Sequence, residues 1–160
     1  MTFDWNLLVE RLQAHRGKYH GMLPPCPDDR IRPVEEGLGE MPHVLRDMLR
    51  HFNGAELFES GLPLLTIFGI SGVSSLSALE WAPDWHIDKF TPPWRASGPD
   101  RKDDWAIGMT NYGGLILMDA TGAISEWDTG EKRWLLRNVP LETWIEEIMR
   151  EGETLMRDMG

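Results

Sequence analysis

Five histidines and a single cysteine are the residues of this chain best able to do metal or nucleophile chemistry. His15, His20 and Cys26 offer three ligands of the kind zinc takes, but Gly17 and Gly21 lie among them and leave their geometry undetermined. His43 and His51 lie eight positions apart on one predicted helix, roughly 12 Å along its axis, too far to share an ion. Cys26 stands between Pro25 and Pro27 with no histidine near it in sequence, so no base is placed to activate it. His86 and Asp88 could polarise one another, as any i, i+2 pair on an extended segment can. Gly69-Ile70-Ser71-Gly72 lacks both the Lys-Ser/Thr of a phosphate loop and the Gly-x-Ser-x-Gly of a nucleophile elbow. Arg46 and Arg50 share a helix face that could contact phosphate, yet Asp47 and the acidity of the chain favour a solvated face. The residues thus point to no catalytic group, no cofactor and no metal.

The tryptophans point elsewhere. The chain holds 8 of them, and Trp81, Trp85, Trp94, Trp105, Trp127 and Trp134 fall within one third of its length. Tryptophan is enriched at the centres of protein interfaces because it buries a large rigid area at little entropic cost. Trp5 and Trp144 sit on helical stripes and read as core. Trp85 and Trp94 stand in an irregular Pro-rich segment, and Trp127 lies between Glu126 and Asp128. For these three, a partner surface and ordinary packing explain the pattern equally well. The candidate partner-binding set is Asp84, Trp85, Trp94, Glu126, Trp127 and Asp128, with Asp84, Glu126 and Asp128 as its acidic part.

These residues need a scaffold, and the clearest part of it runs from Asp103 to Asn138. Trp105–Thr110, Leu115–Asp119, Ala123–Asp128 and Lys132–Arg137 read as strands. They are joined by Asn111-Tyr112-Gly113-Gly114, Thr121-Gly122 and Thr129-Gly130, each able to supply a residue at φ > 0. Connections this short force antiparallel pairing, so the block is a meander. Leu115-Ile116-Leu117-Met118 is apolar on both faces and belongs at the centre of the sheet. Ala123–Asp128 mixes apolar and polar residues and is expected nearer solvent.

Before the meander, Asp4 caps a predicted helix to about His15, with Trp5, Leu8, Val9 and Leu12 on its buried stripe. Gly17 to Pro27 reads as irregular loop, and Val34–Leu38 as a helical turn ending at Gly39. Pro42 opens a helix carrying Val44, Leu45, Met48, Leu49 and Phe52, which Asn53-Gly54 is expected to end through a left-handed cap. Leu64–Phe68 reads as a strand. Residues 78–102 are the least regular, with one or two helical turns between Asp84 and Phe90 before Pro92. A last helix begins near Pro140, bears Leu141, Trp144, Ile145, Ile148 and Met149, and is expected to weaken at Gly152. The acidic run Glu142, Glu146, Glu147, Glu151 and Glu153 reads as its polar side. The order predicts one α+β domain over residues 1–160, a mainly antiparallel meander with helices packed on one face.

Composition narrows the function classes. The chain is 160 residues long, 41% hydrophobic and 26% charged, which suits an ordinary globular domain. A net charge of −10 argues against nucleic-acid binding and suits a basic protein partner, although acidity for solubility alone explains it too. One cysteine allows no internal disulfide. No secretory leader is apparent at the N-terminus, and the mainly apolar passage Gly61–Val73 is too short to span a bilayer, so a cytoplasmic location with no membrane partner is expected.

Ile31, Glu35, Leu38, Gly39 and Pro42, then Phe52-Asn53-Gly54, are similar to the opening helices of the SUKH superfamily. That group includes the yeast Smi/Knr cell-wall regulators and many bacterial immunity proteins. Tyr112-Gly113-Gly114 with Leu115–Asp119, Gly122 and Ile124–Asp128 resembles its meander, and Trp144–Met149 its closing helix. The resemblance runs from residue 31 to 149, leaving residues 1–30 as an N-terminal helix and Pro-rich loop. Met41-Pro42 departs from the usual Leu-Pro, and residues 78–102 have no counterpart. The resemblance implies a non-catalytic binding protein, often one that neutralises a toxin domain. A housekeeping interaction module of the same fold and a hydrolase using Asp, Glu and His in a cleft are the alternatives.

Overall fold

A computed structural model describes residues 3–14, 20–60, 62–73, 85–99 and 103–159. Their elements run α1 (Trp5–Gln13), β1 (His20–Met22), α2 (Asp28–Leu38), α3 (His43–His51), β2 (Ala55–Ser60), β3 (Leu62–Ile67), α4 (Ile87–Ser97), β4 (Trp105–Thr110), β5 (Gly114–Met118), β6 (Ile124–Asp128), β7 (Arg133–Val139) and α5 (Leu141–Met159). The seven strands form one antiparallel sheet in sequence order, β1 to β7. The domain is α+β, as the order of signals predicts.

Every residue of β4 and β5 is buried, which requires cover on both faces of the sheet. On one face α1, α3 and α5 gather. Trp5 meets Phe52 edge-on at 5.9 Å and donates from Nε1 to the Val44 carbonyl at 3.0 Å, while Arg11 pairs with Glu146 and Glu153 of α5. Asp4 caps α1 as expected, accepting from Leu7 N at 3.2 Å. Helix α4 lies against the other face, with Trp94 touching Trp127 and Trp134.

Several local expectations give way to tertiary contacts. The loop before α2 contains β1, which pairs with β2 through His20 and Leu57. Strand β2 itself lacks a clean alternation, and Phe58 within it has φ +56. A residue with a Cβ at such a φ is strained by about 1–2 kcal/mol. The strain is offset because the Phe58 ring lies on Gly152 of α5, where an added Cβ would sit 2.2 Å from Phe58 Cδ2. Gly152 is therefore a packing position inside a helix that continues to Met159, not a point where it weakens.

Prolines mislead in the same way. Helix α2 starts at Asp28 and passes through Pro33, while Arg50 of α3 reaches Asp28 and Arg46 reaches Glu35. Those ion pairs show that Arg46 and Arg50 are ties between α3 and α2, and Arg46 is mostly buried rather than solvated. Burial opposes ionisation of Glu35, but Arg46 and the Met41 N–H hold its carboxyl below the ordinary range. Helix α4 runs through Pro92 and Pro93, whose rings are exposed, because the residues around them are held from the sheet side. Thr91 Oγ1 accepts from Ala106 N at 3.0 Å, Trp94 Nε1 donates to Asp104 Oδ2 at 3.3 Å, and Arg95 donates to the Asp104 and Leu38 carbonyls.

Asn53-Gly54 works differently from a left-handed cap. Phe52, which ends α3, is extended at φ −157, and the positive φ falls on Gly54 at the entry to β2. The Asn53 side chain is buried and imitates a strand partner: its Nδ2 donates to Ile70 O at 3.0 Å, and Ile70 N donates to its Oδ1 at 2.7 Å. Gly69 has to be glycine there, since a Cβ would lie 2.2 Å from the Asn53 carbonyl oxygen.

Two stability tests follow. Asn53→Ala leaves the Ile70 N–H and C=O unpaired in the interior, at about 1–3 kcal/mol for each group, so urea denaturation should read a loss of about 3 kcal/mol or more. Gly152→Ala should cost about 1–3 kcal/mol by the same measurement, through overpacking against Phe58.

Candidate functional site

The tryptophan cluster forms at the β6–β7 hairpin. Trp127 and Trp134 face each other across the register of that hairpin, and Leu115 pairs with Trp127 from β5. Trp94 of α4 closes a triangle of edge-to-face indoles, with centroid separations of 5.8 Å to Trp127, 5.9 Å to Trp134 and 5.0 Å between the two strand residues. Trp94 is 7% exposed, whereas Trp127 and Trp134 are half-buried. Beside them opens a cavity of about 390 Å³, whose lining includes Phe90, Pro93, Trp94, Leu115, Trp127 and Lys132. Its surface is chiefly aromatic and apolar, with one cation at the rim, and it suits an apolar or aromatic side chain from outside.

The predicted site residues separate in this structure. Trp94 and Trp127 come together. Trp85 is half-buried against Phe68 at 6.0 Å, and Asp84 lies outside the described residues. Asp128 is committed to its own turn, its Oδ1 accepting from Gly130 N at 2.9 Å and Glu131 N at 3.0 Å. That turn takes its positive φ at Lys132 (φ 55), not at Gly130. Trp134, absent from the predicted set, belongs to the cluster. The hairpin register could have found it, because a short turn between Asp128 and Arg133 sets Trp127 against Trp134.

Glu126 departs most from expectation. It is 3% exposed, and Ile124 and Ser125 are buried with it, so β6 lies deeper than its polar content suggests. Neighbours along a strand face opposite sides, and Glu126 points away from the tryptophans. There its Oε2 backs onto Gly114, where a Cβ would lie 2.2 Å away, and has no hydrogen-bond partner among the described residues. Burial pushes its pKa up; the Tyr112 hydroxyl, near enough to hydrogen-bond, pulls it down, and Glu151 and Asp128 push it further up.

The groups considered for metal or nucleophile chemistry have structural uses. His20 Nδ1 accepts from Phe58 N at 3.1 Å, and its ring meets Phe58 edge-on at 4.7 Å. Cys26 is buried, and burial, with Asp29 and Asp28 nearby, raises its thiol to about 11, leaving it protonated at neutral pH. His15 lies outside the described residues. Asp88 accepts from Ser71 N at 3.0 Å and from the Ser71 hydroxyl, binding α4 to the segment after β3. Among the described residues no group of three or more His, Cys, Asp or Glu is placed to hold a metal ion, and no helix is long and apolar enough to cross a membrane.

No protein-family model and no curated protein sequence matches this chain. What bears on the role of the site is its own geometry.

A carboxyl whose folded-state pKa lies above its unfolded value binds its proton more tightly in the folded protein. Its stabilising contribution is present at low pH and lost as pH rises through the folded pKa. Glu126→Gln should accordingly raise stability at pH 7–8 by about 1–3 kcal/mol, the scale for a buried uncompensated polar group. The gain should shrink as pH falls below the ordinary carboxylate value, as thermal unfolding across pH 4–8 would show.

Proposed function

We propose that this protein is a non-catalytic protein-binding domain, and that it serves as a cytoplasmic bacterial immunity protein that neutralises a toxin domain by direct binding. The observation that carries the reading is the open apolar cavity lined by Trp94 and Trp127, where Trp127 is only half-buried and is braced by Trp134. Exposed tryptophan held rigid by its neighbours is the usual anchor of a tight interface, since little side-chain entropy remains to be lost on binding.

Two further features support it. The net charge of −10 would speed encounter with a basic toxin domain, while the tryptophans would slow dissociation. The similarity to the SUKH superfamily in residues 31–149 points to the same role. Neutralisation then needs no chemistry from this chain: it occupies or adjoins the toxin's active site and excludes its substrate.

Calorimetric titration with the toxin domain encoded by an adjacent gene tests this. The expected complex has a Kd of about 1 µM or tighter, near −8 kcal/mol. Trp127→Ala should weaken it by about 2 kcal/mol or more, the range of an interface hot spot, while circular dichroism still reports a folded protein. Absence of a complex at micromolar concentration, or an affinity indifferent to Trp127, would overturn the proposal.

A further inference from the structure

Several of the hydrogen-bonding groups that line the cavity beside Trp94 and Trp127 are already satisfied within the protein. Trp94 Nε1 donates to Asp104 Oδ2 at 3.3 Å, the Ser97 hydroxyl to the Pro93 carbonyl at 2.8 Å, and the Thr129 hydroxyl to the Gly113 carbonyl at 2.9 Å. What stays open is the apolar surface of Phe90, Pro93, Trp94, Leu115 and Trp127 around about 390 Å³, with Lys132 at its edge. Lys132 is exposed and has no ion pair among the described residues. Its neighbours Glu131 and Arg133 pair with each other at 2.8 Å, and Asp128 Oδ1 is held by the N–H groups of its own turn. The Lys132 N–H donates to the Asp128 carbonyl at 2.8 Å with φ at +55, a position where glycine is free of strain and lysine is not. The turn therefore carries its cation against local backbone preference.

An occupant that fits has to be apolar in its body and negative at the mouth. We propose that the cavity takes an aromatic side chain of the protein partner and that Lys132 pairs with a carboxylate beside that side chain. The inference deepens the reading of this groove as a docking site and rests on it. A ring suits the space because the indoles of Trp94 and Trp127 and the ring of Phe90 offer edge-to-face and offset contacts. A polar side chain would be desolvated there with few hydrogen-bond partners to replace its water. The unpaired ammonium selects the neighbour of the ring: an acidic residue gains a partner, and a basic one meets a like charge. The net charge of −10 draws in a partner that is basic overall, and Lys132 then sets its register. Only a stretch with an acidic residue beside its aromatic one satisfies both cavity and cation.

The probes are N-acetyl-phenylalanine, whose carboxylate lies beside its ring, and its neutral amide, each added at pH 7 to isotopically labelled protein and followed by NMR. Both should give saturable shifts of the Trp94 and Trp127 indole N–H signals with half-points in the millimolar range. The acid should bind about threefold more tightly than the amide, the scale of an exposed ion pair. Lys132→Gln should remove that preference, and Lys132→Glu should reverse it. N-acetyl-alanine, which has the carboxylate without the ring, should shift neither indole. Equal binding of acid and amide, a preference that survives Lys132→Gln, or no saturable shift with either aromatic probe would each overturn the inference. The toxin-domain titration judges the broader reading separately. A complex whose affinity depends on Trp127 and is indifferent to Lys132→Gln would keep that reading and overturn this inference alone.

Discussion

The buried side-chain amide of Asn53 does for this fold what an extra strand residue would do. It joins the end of α3 to Ile70 by one donated and one accepted hydrogen bond, while its own backbone N–H donates to the Pro24 carbonyl at 3.0 Å. Gly69, pressed against it, then accepts from Ile87 N at 2.8 Å and forms a bridge with His86 at the start of α4. Asp88 completes the connection by holding Ser71. The start of α4 is thus tied to Asn53, while Thr91, Trp94 and Arg95 hold the rest of the helix that carries Trp94. A buried amide with both its groups satisfied is highly directional, whereas apolar packing alone would let α4 slide over the sheet. The groove is separated from Asn53 in sequence, yet one chain of hydrogen bonds links them.

The second constraint is strand alternation in β6. Glu126 and Trp127 are neighbours in sequence and serve opposite faces of the sheet. Trp127 completes an aromatic triangle under α4, and Glu126 becomes a buried carboxylate on the α5 side. Strand β7 has no strand beyond it in the sheet order of the described residues. One hairpin therefore places an aromatic side chain against α4 and a buried carboxylate on the opposite face. Irregular pairing between β6 and β7, with register shifts on either side of Glu126, makes this a poor edge for adding another strand.

Glycine and proline are the least faithful guides in the chain. Gly113 and Gly122 do take positive φ in their turns, as local rules demand. Gly152, Gly69 and Gly114 instead make room for Phe58, Asn53 and Glu126 respectively, and no local pattern reports a neighbour so distant in sequence. Pro33, Pro92 and Pro93 suggest breaks where helices continue. Their missing N–H groups weaken the helix locally, but the ion pairs of α2 and the Thr91, Trp94 and Arg95 contacts of α4 outweigh that loss. Strands β1 and β2 leave little trace in the residue pattern, because β1 is short and β2 turns at Phe58 against that residue's own preference.

Residue order alone determined the α+β class, the four-strand meander with its central apolar strand, the cap of α1 and the stripes of α1 and α5. Those features rest on interactions between residues a few positions apart, where periodicity and turn chemistry act directly. Tertiary structure decided that Trp134 joins Trp94 and Trp127, that Glu126 is buried away from them, and that α4 exists as a full helix. Each of those outcomes depends on which distant side chain fills a given space. That is a property of packing in three dimensions, and a linear pattern of residue types does not carry it.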